Sequence, residues 1–325
     1  MEKVAIVYAK VNKYSTKDEL DILDEVALVK GALKEMGYYP VEVPVTLNLE
    51  NLLKKLKKIK ASFVFNLTES LDGKDSLVAL VPALLDSVRI IYTGAPTEAF
   101  HLTTNKIIAK KFFTSFKINT PAWMTFDDVL DGKFFGEAPF IVKSIRDHAS
   151  IGLDEESVFF DRGSLVAEVK RKREIKNNFF IEQFIDGREF NLSLLGGFDR
   201  PEILPPAEIR FIDYPDDKPR IVGYRAKWES SSLEYKSTVR SFDFHEEDKA
   251  LINELSSIAL SCWELFGLRG YARVDFRVDK KGIPYVLEIN TNPCISPDAG
   301  FIASAKEAGL NVKDVIKRII DDSIK

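Results

Sequence analysis

The 325-residue sequence is poor in the residues on which several chemistries depend. It has 2 cysteines, Cys262 and Cys294, and Cys262 falls on the apolar face of a helical pattern. No disulfide framework can be built from these, and a reducing cytoplasm is the natural compartment. With 3 histidines and no C-x-x-C there is little to support zinc chemistry or a histidine-activated nucleophile. No apolar run approaches the ~20 residues that cross a bilayer. Met1-Glu2-Lys3 leads directly into an apolar strand, Val4–Tyr8, so no signal peptide is expected. A net charge of −4 lacks the basic excess of a nucleic-acid or membrane-surface binder. What is present, 45% hydrophobic and 30% charged residues, suits a globular enzyme of roughly two or three domains.

Short strands are predicted at Val4–Tyr8, Tyr39–Val43, Phe63–Asn66 and Arg89–Tyr92. Helical patterns at Asp18–Met36, Leu49–Lys60 and Ser76–Leu85 separate them, which predicts an open, largely parallel α/β sheet. Lys54, Lys55, Lys57, Lys58 and Lys60 resemble a basic patch. Leu52, Leu53, Leu56 and Ile59 lie beside them at helical spacing, so a solvated helix face explains the lysines better. Thr93–Pro96 reads as a domain boundary. Thr104 is placed to cap a helix through Lys106, Lys110 and Phe116, and Asn311 to cap the last helix. Glu247–Phe266 predicts an amphipathic scaffold helix.

The most informative stretch runs from Gly270 to Pro293. Tyr271–Val278 and Ile283–Asn290 alternate as strands do, and Asp279–Gly282 is turn chemistry, so an antiparallel hairpin is expected. If Val278 pairs with Ile283, Arg273 faces Glu288 and Asp275 faces Val286, and Arg273, Asp275, Glu288 and Asn290 share one face. Two carboxylates and an amide oxygen on one face suit a hard cation such as Mg²⁺. A plain buried Arg–Glu pair would leave Asp275 and Asn290 without a task.

Other stretches point the same way. Asn66–Gly73, with Glu69, follows a strand at the end where open α/β sheets place ligands. Phe140–Ser144 is an apolar strand carrying Lys143. It runs into His148-Ala149-Ser150-Ile151-Gly152, a backbone-rich loop of the kind that cradles phosphates. Phe179–Gln183 is another apolar strand bearing an acid, Glu182, with Glu189 beyond a glycine. Ile221–Ser237 joins Lys227 and Trp228 to a polar loop, a plausible water-excluding lid, with a plain hairpin turn as the simpler alternative.

R-x-D followed by Leu287-Glu288-Ile289-Asn290-Thr291-Asn292-Pro293 closely resembles the catalytic hairpin of ATP-grasp ligases, most of all the D-alanine–D-alanine ligases. The resemblance extends from about Ser62 to Gly309. It implies an α/β fold, α+β in its C-terminal part, with an N-terminal domain over 1–95, a central ATP-grasp subdomain over 96–186 and a catalytic subdomain over 187–325. It implies ATP with Mg²⁺ or Mn²⁺ as cofactors. Asp275, Glu288 and Asn290 would hold the metal. Lys106, Lys143, Ser150 and Lys227 would hold phosphates. Glu182 would accept from the adenine amino group, the backbone of Phe184 and Ile185 would edge the base, and Glu189 would hold the ribose. Catalysis would rest on Arg273, as oxyanion donor, with Ser150 and Lys227. Glu69, Trp228, Arg273 and Asp298 would line the substrate pocket.

The implied reaction joins a carboxylate to an amine through an acyl phosphate, with small molecules as partners, neither nucleic acid nor membrane, and a homodimer as the assembly. A small-molecule kinase or a non-catalytic nucleotide-binding homologue would use the same parts. The family's His-Gly-x-x-Gly-Glu-Asp-Gly loop has Asn66 at the histidine position here. Its acceptor segment Pro-Gly-Met-Thr-x-x-Ser-Leu becomes Pro293-Cys294-Ile295-Ser296-Pro297-Asp298-Ala299-Gly300. The serine–leucine frame for the acceptor carboxylate is lost and an acid stands beside it. A substrate other than D-alanine, with a larger or cationic acceptor, is therefore expected.

Overall fold

A computed structural model describes residues 1–175, 178–197 and 200–324, with the side chain of Ile175 left out. The first sheet is parallel, of order β2-β1-β3, from Lys3–Ala9 (β1), Tyr39–Val45 (β2) and Phe63–Asn66 (β3). Val4 to Val7 are completely buried, as expected of a central parallel strand covered on both faces. Arg89–Tyr92 does not form the expected strand. It contributes a single bridge, Tyr92 to Val64, because the chain leaves at once through Thr93 and Gly94. The expected helix from Asp18 to Met36 is broken at Asp21, giving Lys17–Leu20 and Ile22–Glu35. Ser76–Leu85 likewise divides into a short turn at Asp75–Leu77 and a helix at Leu80–Ser87. The lysine-rich face of Leu49–Ile59 is solvated, and Leu52 and Leu56 are buried beneath it.

The second sheet, β4-β7-β5-β6, comes from Trp123–Thr125 (β4), Phe140–Ser144 (β5), Val158–Phe159 (β6) and Phe179–Gln183 (β7), all antiparallel. The third is also antiparallel. It runs β11-β10-β8-β12-β13, from Gly187–Leu195 (β8), Ala207–Phe211 (β10), Thr238–Ser241 (β11), Tyr271–Asp279 (β12) and Pro284–Thr291 (β13), with Glu202–Ile203 (β9) paired to β8. Along β8 and β12 Phe190, Leu192, Leu194, Val274 and Phe276 turn to a core shared with Leu255, Ala259 and Cys262 of the helix Lys249–Leu265. Among the alternate residues, Glu189, Asn191, Arg273, Asp275 and Arg277 are left facing the cavity.

The hairpin register differs from the expected one. Val278 pairs with Pro284 rather than Ile283, and a bulge at Leu287 shifts the ladder again, so Asp275 faces Glu288 and Arg273 faces Asn290. The two one-residue offsets add up to an even shift, which keeps all four polar side chains on the same face. The helix through Lys106 is capped by Asn105, not Thr104. Asn105 Oδ1 accepts from the N–H groups of Ile107 and Ile108, while Thr104 closes the preceding helix.

The 93–95 crossing is locked against the third sheet. Asn292, at φ 48°, accepts from Ala95 N–H at 2.9 Å and donates to Asn66 O at 3.2 Å, and Arg269 donates to the carbonyls of Gly94 and Tyr92. Gly94 has φ +86°, and a Cβ there would fall 2.4 Å from Asn292 Oδ1. Gly94→Ala is expected to cost on the order of 3 kcal/mol through strain and overpacking. Urea unfolding checks this, and a midpoint equal to wild type would show that the crossing is not locked.

Candidate active site

The large cavity, about 1030 Å³, is walled by the second and third sheets and by the segments that follow strands of the first, around 16–21 and 69–78. That is at the upper end of small-molecule pockets. On its floor β8 and β12 run side by side in register, with Asn191 opposite Asp275 and Glu189 opposite Arg277. Asp275 Oδ1 accepts from Arg273 Nε at 2.7 Å and Asn191 Nδ2 at 2.8 Å. Its Oδ2 accepts from Arg273 Nη2 at 2.8 Å and Asn290 Nδ2 at 2.9 Å. Burial works against the Arg273 charge, but Asp275 and Glu288 more than offset it and hold the guanidinium firmly protonated.

Glu288 has Lys106 Nζ 3.5 Å from its Oε2. Burial alone would raise its pKa. The cations Lys106, Lys227 and Lys143, with His148, hold it well below the usual carboxylate range instead. Two carboxylates thus face each other in register, and Glu288 is ionised at neutral pH. The set fits a hard cation in donor type. A cation at Asp275 needs one lone pair released, and turning the Asn290 amide over exchanges its Nδ2 for Oδ1 at that place.

The lysines converge from three elements. Lys106 opens its helix and donates to Asp147 O at 2.8 Å. Lys143 extends from β5 to Glu182 Oε1, and Lys110 Nζ lies 2.7 Å from Glu182 Oε2. Burial would push the Glu182 carboxyl up, but these two ammonium groups hold it below its ordinary value. Lys227 lines the cavity, its pKa lowered by burial and by the neighbouring Arg273 charge. Glu189, expected at a ribose, is paired with Arg277 at 2.7 Å. Phe184 and Ile185 line the cavity, and the Phe184 N–H is taken by Pro139 O at 2.8 Å.

Ala149 and Ser150 both have positive φ, 55° and 59°, so the loop turns sharply without glycine at those positions. Ser150 Oγ donates to Val222 O at 2.8 Å and Trp228 Nε1 donates to Ala149 O at 3.2 Å. The 221–237 segment is therefore docked on this loop. It folds as two short helices, Tyr224–Trp228 and Leu233–Ser237, and not as a hairpin turn. Tyr224 Oη reaches Asp18 Oδ1 at 3.2 Å and Lys17 Nζ reaches Trp228 O at 3.3 Å, closing the cavity from the N-terminal side.

That side is acidic. Cys294 Sγ donates to Asp21 Oδ2 at 2.9 Å, and Glu25 Oε2 accepts from Ile295 N–H at 3.0 Å. Glu69 is exposed where it opens on the cavity, and the protein crowded about it, with Asp75, Asp21 and Asp18, pushes its carboxyl from 4.5 up to about 8. A carboxyl raised on folding binds more protons in the native state, so its contribution falls as pH rises from about 4.5 to 8. Glu69→Gln is expected to flatten that slope. Thermal melts between pH 5 and 8 that keep the wild-type slope would refute it.

Sequence comparison gives the relatives of this arrangement. A family model described as D-Ala–D-Ala ligase C-terminus matches residues 132–321. The D-alanine–D-alanine ligase of Aquifex aeolicus is 30% identical over 309 residues, covering 94% of this chain and 96% of that protein. The chain belongs to the D-alanine–D-alanine ligase family. Its fold is the ATP-grasp fold and its enzyme class is that of ATP-dependent ligases forming C–N bonds. The crystal structure of the Bacillus anthracis D-alanine–D-alanine ligase complexed with ATP superposes with a TM-score of 0.75 at 24% identity, covering 100% of this chain and 98% of that one. The VanG D-Ala:D-Ser ligase of Enterococcus faecalis shares the fold at a TM-score of 0.72 and 16% identity, covering 98% of each chain.

Three residues in or behind this ligase's cavity were not singled out from sequence. Lys110 is fully buried behind Glu182. Asn191 fixes Asp275, and its signal was the alternation Glu189, Asn191, Ser193 between Phe190, Leu192 and Leu194. Arg240 lies on the edge strand β11, where a single arginine among polar residues carries no pattern.

Proposed function

We propose that the protein is a carboxylate–amine ligase that activates a small carboxylic acid as its acyl phosphate with ATP and condenses it with an amine. The observation carrying this reading is the in-register pair Asp275 and Glu288 beneath Lys106, Lys143 and Lys227 in one cavity. Mg²⁺ or Mn²⁺ would take Asp275, Glu288 and Asn290, and would supply neutralisation of phosphate charge. The lysines hold phosphate oxygens as point charges, and Glu182, Phe184, Ile185 and Glu189 form the wall on which the base and ribose rest. Arg273, kept protonated and aimed by Asp275, donates to the oxyanion that develops when the amine attacks. The loop carrying Ser150, closed by Trp228, keeps water from an acyl phosphate that it would otherwise hydrolyse.

A substrate pair other than two D-alanines fits the altered 293–300 segment and Asn66. Hydroxylamine trapping tests the chemistry. With Mg-ATP and a panel of D- and L-amino acids, a hydroxamate is expected together with ADP and inorganic phosphate. A stable phosphorylated product would instead identify a kinase. No ADP release across the panel would leave only a nucleotide-binding protein.

A further inference from the structure

The 299–300 region, where the family's acceptor frame is missing, is not empty. Arg240 projects there from β11, and a Cβ built on Gly300 would lie 3.4 Å from Arg240 Nη2 and 3.7 Å from Nε and Cζ. A Cβ at position 300 would thus rest in van der Waals contact with this guanidinium, and a larger side chain there would have to share the space with it. Among the described residues no hydrogen bond or ion pair of the Arg240 side chain is found; it is exposed, and it lines the cavity beside Ala299 and Arg273. Arg273 differs, being committed to Asp275 through two hydrogen bonds. Thr238 lies two residues away on the same face of β11, and its buried hydroxyl has no hydrogen-bond partner. Asp298 answers part of the Arg240 charge from a distance, while its own Oδ1 accepts from Ser296 Oγ at 3.1 Å.

We propose that Arg240 is the specificity-determining anchor for the acceptor's carboxylate, resting on the ligase reading above. A guanidinium without a partner, held on the cavity wall next to a second cation, gains from a bidentate carboxylate. Thr238 Oγ1 is the second donor within that frame. The acceptor is thus an amino acid with a free carboxylate, reversing the charge preference that Asp298 alone suggests. The amine end lies toward Arg273 and the acyl phosphate, and the anionic end lies toward β11.

β11 is an edge strand, so Arg240→Ala and Arg240→Lys leave the core untouched. With the best acceptor of the amino-acid panel varied at saturating donor and Mg-ATP, Arg240→Ala is expected to raise the acceptor KM about 10–100-fold, from loss of a charge-assisted pair. kcat should stay nearly level, and Arg240→Lys should recover part of the KM. The acceptor's carboxamide should be poor with wild type and no worse with Arg240→Ala. An unchanged acceptor KM, or an equal KM penalty on the carboxamide, would overturn the anchor. A second measurement needs no turnover: calorimetric titration of each amino acid of the panel into Mg-ADP-loaded wild type and Arg240→Ala. Binding lost in the variant keeps the anchor even if the panel releases no ADP and the ligase reading fails. Equal binding, or none to either protein, removes the anchor and leaves the ligase reading to the trapping experiment.

Discussion

Asp275→Asn should lower ADP release about 10³-fold or more, because it takes away both a metal carboxylate and the group that aims Arg273. Asp275 accepts four N–H donors, two on each oxygen. An amide in its place offers one accepting oxygen and turns an NH₂ group toward a guanidinium. Arg273 Nη2 or Nε then loses its partner, and Asn191 or Asn290 is displaced with it. The fold should survive, since Glu288 remains near Arg273 and the apolar face of β12 is unchanged. A stability loss of about 1–3 kcal/mol is expected from the unpaired donors. Thermal stabilisation by Mg-ADP separates the two effects, because a variant that melts nearly like wild type yet gains little from Mg-ADP has lost the metal site rather than the fold. Full activity in Asp275→Asn would remove the hairpin from the chemistry.

The parts of this site that could be read in sequence are those whose side chains follow from strand parity. Once Tyr271–Val278 and the following strand are recognised, Arg273 and Asp275 must share a face of the first, and Glu288 and Asn290 a face of the second. The register could not be read, because the bulge at Leu287 is a choice among backbone arrangements that the same alternation permits. The break at Asp21 was hidden for a similar reason: the apolar spacing continues through it, and Asp21 serves both as the end of one helix and the start of the next. Asn105 stood beside Thr104 with equal claim to the cap, and only the fold decides between neighbours of the same chemistry. Lys110 looked like any lysine on an amphipathic helix. Its burial depends on Glu182, which arrives from a strand 72 positions later in the chain. Arg240 was silent because its meaning lies in the space left at Gly300. Partners distant in sequence, and the volumes between them, are what periodicity does not encode.

The two lysines on Glu182 should separate stability from nucleotide binding. Lys110 is 0% exposed, and its Nζ also donates to Thr120 Oγ1 at 2.7 Å, which in turn donates to Val286 O at 2.8 Å. This chain of bonds ties the helix Lys106–Ser115 to β13 through a buried ammonium and a partly buried hydroxyl. Lys110→Met leaves a carboxylate that is 1% exposed with one cation instead of two. Breaking a buried pair in this way costs about 3–5 kcal/mol. The loss should deepen at higher pH and ease in acid. With fewer cations beside it the carboxyl rises above its ordinary pKa, and a raised carboxyl favours the native state only where it is protonated. Lys143 sits at the cavity rim, and Lys143→Met should cost less stability while weakening ATP binding about 10–100-fold, the worth of one or two charge-assisted hydrogen bonds. Pairing Lys110→Met with Glu182→Gln should restore much of the lost stability, because no buried charge is then left unanswered. Urea midpoints and nucleotide titrations on the three variants decide the matter. If Lys110→Met proved as stable as wild type, or if both single variants lost stability and ATP affinity in the same ratio, this division of labour would be wrong.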